Sequence, residues 1–218
     1  MAVREQFHND LQRIKQAIIK LASATEEALC MSVDALFNQD VILANRIISQ
    51  DKDIDKQEFS INDRVILLIA KQQPVAEDLR RLIIALRITN DLERMGDNAK
   101  NIAKAAIHLG EDHRLTIHEK IKNMRDIALE MLHTAMNAFE FEDISIAGKL
   151  SEMDDKMDET YEQVIKEMLE ETTTNPEKTQ YIMQMAFSAR YMERFADHIT
   201  NIGESILFLV KGESYKLN

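Results

Sequence analysis

Apolar residues recur at spacings of three and four along nearly the whole chain. In the opening segment Leu11, Ile14, Ile18, Leu21, Thr25, Ala28, Ser32 and Ala35 form one seam, the heptad-like period of a helix packed along its length. A second seam runs through Ala44, Ile47, Ile54, Ile61, Val65 and Leu68, and a third through Ile88, Leu92, Met95, Ala99, Ile102 and Leu109. Breakers separate the seams: Asn38-Gln39-Asp40, then Gln72-Gln73-Pro74 with Pro74 placed to start a helix, then Gly110-Glu111-Asp112. Glu142-Asp143, Thr172 to Pro176 and Gly212 follow. The pattern predicts six helices of roughly 25–35 residues with short connections, so antiparallel neighbours in a bundle. With 5 Gly and 2 Pro in 218 residues, a β-sandwich or barrel has too few turn formers. The predicted fold class is all-α.

The second half repeats the first. An offset of 103 carries Asn38-Gln39-Asp40 onto Phe141-Glu142-Asp143, Asp51 and Asp55 onto Asp154 and Asp158, and Ile54 onto Met157. It becomes 102 at Pro74 and Pro176, and 100 where Glu93-Arg94-Met95-Gly96-Asp97 meets Glu193-Arg194-Phe195-Ala196-Asp197, with Asn101-Ile102 meeting Asn201-Ile202. Self-similarity of this kind marks a duplicated structural unit. The expected organisation is two tandem three-helix repeats, residues 1–110 and 111–218. Whether they share a core or lie end to end is open at this level.

Charge narrows the function classes. The 27 Lys and Arg against 38 Asp and Glu leave a formal balance of −11, which disfavours nucleic acid and anionic lipid surfaces as partners. A single Cys30 excludes an intramolecular disulfide and a thiolate zinc site and fits a reducing cytosol. Met1 to Asp10 shows no apolar run of a signal peptide, and the longest apolar stretch, Val65 to Ala70, is too short to span a bilayer. A cytoplasmic chain without membrane insertion is expected.

The acids are not spread evenly. On the third predicted helix Leu79, Leu82, Ile83 and Leu86 share an azimuth that Asn90, Glu93, Asp97 and Asn101 continue. Folding the second and third helices back about Gln73 sets residue 53 level with residue 93, so Asp51 and Asp55 come beside Glu93 and Asp97. The same fold-back near Thr174 brings Asp154 and Asp158 to Glu193 and Asp197. Asp51 and Glu58 also interrupt an apolar seam. Four carboxylates at one level repel unless a cation lies among them or some are protonated. Arg94 and Arg194 are the candidate internal neutralisers. The other solution is metal: carboxylates and carboxamides without thiols suit Mg²⁺, Mn²⁺, Ca²⁺ or iron. His198 points away from Asp197 and is expected to support a ligand rather than be one. Open positions on such a metal would accept an oxyanion such as phosphate.

Three segments are similar to a known family: Pro74 to Arg80, Asp91-Leu92-Glu93-Arg94-Met95-Gly96-Asp97-Asn98-Ala99, and Met192 to Ile202 with its Glu193-Arg194-Phe195-Ala196-Asp197 core. They closely resemble the PhoU family of phosphate-signalling proteins, as do Phe7 to Leu11 and the Asp51/Asp55 segment. The resemblance implies two three-helix repeats that bind iron, Mn, Mg or Zn, in multinuclear clusters, through the acidic motifs. By position Glu93, Asp97, Glu193 and Asp197 are the motif acids, Asp51, Asp55, Asp154 and Asp158 supporting ligands, and Asn101 and Asn201 further candidates. It also implies regulation of phosphate uptake and negative regulation of the phosphate-starvation response. The implied partners are the ATPase subunit of a phosphate ABC transporter, a membrane sensor histidine kinase and a second copy in a homodimer, with any approach to the inner face of the membrane made through them. The departures are Phe195-Ala196 for Met95-Gly96, and a Phe-His order in the opening helix.

No nucleophile–base pair or Gly-rich phosphate loop stands in the sequence, which favours a binding protein over an enzyme. The rival is a ferritin-like di-metal carboxylate oxidase or iron store, for which Glu5/His8 and Glu130/His133 have the required spacing. They lie 125 residues apart, outside the repeat register. The cluster Arg80-Arg81 with Arg87 is expected to be ordinary surface charge.

Overall fold

The structure, a computed structural model, describes residues 2–110, 116–213 and 216–217. Among these residues there are six α-helices: α1 (Ala2–Asn38), α2 (Val41–Gln72), α3 (Ala76–Leu109), α4 (Lys120–Phe141), α5 (Ala147–Thr174) and α6 (Thr179–Lys211). Single 3-10 turns at Ile144–Ile146 and Pro176–Lys178 lead into α5 and α6. The all-α, two-repeat architecture read from the seams is what forms. Glu111-Asp112 lies outside the described residues.

The predicted breakers act through backbone geometry. Gln39, Gln73 and Glu142 take left-handed φ values of 58°, 45° and 53°, and Gln73 N–H closes the last turn of α2 on the Ile69 carbonyl at 2.9 Å. Glycine is the usual residue at such a cap; here it stands only after α3 and α6, as Gly110 and Gly212. Asp40 starts α2 by accepting from Leu43 N–H at 2.8 Å, satisfying one of the free donors of the first turn. Pro74 precedes α3 rather than opening it, with Val75 as the extended cap.

The α1 seam is core: Ile14, Ile18, Leu21, Thr25, Ser32 and Ala35 are buried. Leu29, Val33 and Leu36 are buried as well, because α1 packs on α2 and α3 on one side and touches α4 on the other. The three helices of each half pack on one another, and the halves are joined mainly by α3 against α6. One continuous apolar cluster runs through both, so the repeats share a core. Consequently α3 is buried on three sides, including Ala99, Ala103, Ala105 and Ala106. The azimuth of Leu79, Ile83 and Leu86 is not core as expected: only Leu82 is buried, and Ile83 is exposed. The buried arc of α3 follows the third seam, Ile88, Leu92, Met95, Ala99 and Ile102, and extends to Ile84, all within the shared core.

The basic cluster on α3 is also more than surface charge, since it ties the halves together. Arg81 donates twice to the Glu142 carboxylate, at 3.2 and 3.1 Å, a bidentate geometry suited to guanidinium. Arg80 donates to the Leu209 carbonyl at 3.2 Å, and Arg80 and Arg87 both stand over the Phe208 ring. Among the described residues no helix is long and apolar enough to cross a membrane.

Candidate metal centre

Two acidic ridges form, one per repeat, at corresponding places between antiparallel helices. Ridge one joins Asp51 and Asp55 of α2 to Glu93 and Asp97 of α3. Asp51 is buried at 7% exposure, Glu93 and Asp97 are half-buried and Asp55 is exposed. Burial raises the Asp55 and Glu93 carboxyls above the usual carboxylate range. The charge of Asp51 adds to it for Asp55, and that of Asp97 for Glu93. Ridge two joins Asp154 and Asp158 of α5 to Glu193 and Asp197 of α6. Asp154 and Glu193 are buried, Asp197 half-buried and Asp158 exposed. Burial and the neighbouring Asp197 push Glu193 up to about 7. Asp197 and Asp158 are raised by burial and then by Asp154.

The fold-back arithmetic therefore brings each foursome to one level. The carboxamides do not join it in the same way: the Asn101 oxygen accepts from Lys104 Nζ at 3.0 Å, and Asn201 is exposed. Among the described residues no three His, Cys, Asp or Glu side chains already converge on a point that would hold a metal ion.

The internal cations differ from those expected. Arg94 is 59% exposed, with Nε 3.7 Å from Glu93, and Arg194 is exposed. In ridge one the neutralising cation is Lys100, whose Nζ donates to Asp51 Oδ2 and to Asp97 Oδ1 at 2.5 Å each. Burial alone would lower its pKa, but hydrogen bonds to the two carboxylates outweigh that and raise it. In ridge two Arg190 pairs with Glu193 Oε1, and Thr200 donates to Asp154 Oδ1 at 3.0 Å. Glu193 Oε2 is shut off from solvent with no hydrogen-bond partner. A buried carboxylate oxygen of this kind is costly unless a cation or proton reaches it.

Lys100 and Arg190 were visible in sequence as residues three positions from Asp97 and Glu193, the helical spacing for a salt bridge. His198 does not serve Asp197 through a hydrogen bond. Its Nδ1 lies 3.0 Å from Asp91 Oδ1, so it links α6 to α3 across the repeats.

Oxygen donors, buried like charge and an orphaned carboxylate oxygen make ridge two chemically suited to a hard or intermediate cation. Ridge one as it stands is filled by an ammonium group and does not fit in the same way. The ferritin-like alternative lacks its inward-facing ligands: Glu130 is exposed and paired with Lys149, and His133 faces Glu26 at 2.9 Å.

Two tandem three-helix bundles sharing a core, each with an acidic ridge on its last two helices, place the chain in the class of duplicated helical bundles. The PhoU domain family matches residues 18–106 and 121–206. A phosphate-specific transport system accessory protein PhoU homolog from Clostridium acetobutylicum is 33% identical over 216 residues, covering 99% of each chain. One from Aquifex aeolicus is 38% identical over 207 residues, covering 95% of this chain and 94% of its own. The crystal structure of the phosphate transport system regulatory protein PhoU from Streptococcus pneumoniae superposes with a TM-score of 0.89 at 30% identity, covering 96% of this chain and 99% of that one. The chain belongs to the PhoU family, whose members are regulatory accessory proteins and not enzymes.

Proposed function

We propose that this protein regulates phosphate uptake and represses the phosphate-starvation response. In this reading it couples the ATPase subunit of a phosphate ABC transporter to a sensor histidine kinase, with divalent or trivalent metal bound on the acidic ridge between α5 and α6. The regulatory part rests on one observation, a full-length likeness to proteins named for the phosphate-specific transport system. It acts in the cytoplasm as a homodimer, reaching the membrane face only through its partners. The metal part is supported by the raised carboxyls and the orphaned Glu193 Oε2. Asp154, Asp158, Glu193 and Asp197 would hold the metal, and it would supply positive charge and open coordination positions suited to an oxyanion.

The test is a phosphate-starvation reporter in the source organism at high phosphate, with and without the gene. Deletion should raise the reporter, and the wild-type gene should restore repression. A flat reporter would overturn the repressor reading. Complementation by a variant carrying Glu193→Gln and Asp197→Asn then asks whether the ridge takes part: full repression by that variant would remove metal from the mechanism.

A further inference from the structure

The repeat register places Lys100 opposite Thr200, at the offset of 100 that also aligns Glu93 with Glu193 and Asp97 with Asp197. This one difference falls at corresponding points of the two ridges. Between α2 and α3 the Asp51/Asp97 pair is bridged by an ammonium in contact with both carboxylates. Between α5 and α6 the corresponding side chain is Thr200, whose neutral hydroxyl donates to Asp154. We propose that the two ridges hold different cations: ridge one holds the chain's own Lys100, and only ridge two takes up a divalent metal ion from solution. This rests on the metal-binding part of the proposed function and adds which half of the molecule performs it.

The competition decides the outcome. A metal ion entering ridge one must displace an ammonium anchored three residues from Asp97, whose local concentration no salt or chelator changes. The Lys100 side chain is 21% exposed, so its stem is packed and its head is held where the two aspartates meet. In ridge two Arg190, His198 and Arg194 act on Asp197 by charge from around the ridge, and the place that corresponds to Lys100 holds the Thr200 hydroxyl. Arg190 holds the outer oxygen of Glu193, while Glu193 Oε2 lies buried and unpartnered beside Asp197 and Asp158. Mutual repulsion keeps these carboxylates from converging, and a divalent ion would draw in Asp154, Glu193 and Asp197 as hard oxygen donors. Ridge one is then a fixed clamp between α2 and α3, and metal acts on α5 and α6, the latter being the helix that packs on α3.

Chelator-treated full-length protein titrated with Mn²⁺ tests this, with bound ion counted by loss of the free Mn²⁺ paramagnetic signal. Changing Asp154 and Asp197 together to Asn should weaken binding by about tenfold or more. Changing Asp51 and Asp97 together to Asn should leave it as in wild type. Lys100→Thr should open ridge one and roughly double the bound ion, because binding sites arise where deprotonated ligands are freed. Lys100→Met, which keeps the packed stem, does the same if the Thr variant fails to fold. Equal losses from the two aspartate double variants, or no gain in either Lys100 variant, would overturn the inference while leaving metal binding in place. No Mn²⁺ bound by wild type or any variant would sink the metal reading and the inference together.

Discussion

Glu193 is where burial and like charge act most strongly on one side chain, and replacing it with Gln converts that into a measurable stability. In the metal-free folded chain its carboxyl titrates at about 7, against an ordinary value of 4.5. Between those two values the folded state binds more protons than the unfolded chain. Stability therefore rises as pH falls through 7, and the gain is complete below 4.5. The shift corresponds to about 3 kcal/mol at 1.36 kcal/mol per unit. The ridge is partly open to water, with Asp158 exposed and Asp197 half-buried, so screening reduces the expected effect to about 1–2 kcal/mol. Urea unfolding of chelator-treated protein at pH 5 and pH 8 should show the wild type losing that amount at the higher pH. Glu193→Gln should match wild type at pH 5, exceed it by about 1–2 kcal/mol at pH 8, and show a flatter pH dependence. Parallel pH curves for the two proteins would refute the reasoning. So would a variant less stable than wild type at pH 8, which would mean the Arg190 pairing outweighs the burial of charge.

Two further expectations concern packing and backbone. A Cβ on Gly96 would lie 3.1 Å from both Ile54 Cδ1 and Cγ2. Overpacking there should exceed the helix-propensity gain, so Gly96→Ala lowers stability by about 1 kcal/mol in thermal or urea unfolding. The second repeat has Ala196 and Met157 at these positions; adding Ile54→Met should recover most of the loss, and no recovery would show that Ile54 is not the obstacle. At the end of α2, Gln73 takes φ 45° with an exposed side chain. Gln73→Gly should stabilise by about 0.5–1 kcal/mol, seen as a rise of about 1–4 °C in Tm, and an unchanged Tm would rule out strain at this cap.

The six helices and their breakers were legible because periodicity and turn chemistry are local. The foursome of acids in each ridge was legible because the fold-back of two rigid helices fixes which residues stand level, and the duplication supplied a second reading of the same arithmetic. The burial of α3 was legible in part: the seam of Ile88, Leu92, Met95, Ala99 and Ile102 is buried as read. Ala103, Ala105 and Ala106 carry little hydrophobic signal, yet small side chains let α3 pack closely on its neighbours. Leu79 and Ile83 carry a strong signal and lie nearer the edge.

By itself, then, the sequence determined an all-α duplicated chain, its family and the heights at which carboxylates gather. Only the tertiary structure decided that the repeats share one core through α3 and α6, that Arg81 and Arg80 join the halves, and which cation answers each cluster. Periodicity places a residue on a face of its helix, but pairing depends on interhelical distance and rotamer. Those put Lys100 between two aspartates and leave one oxygen of Glu193 without a partner.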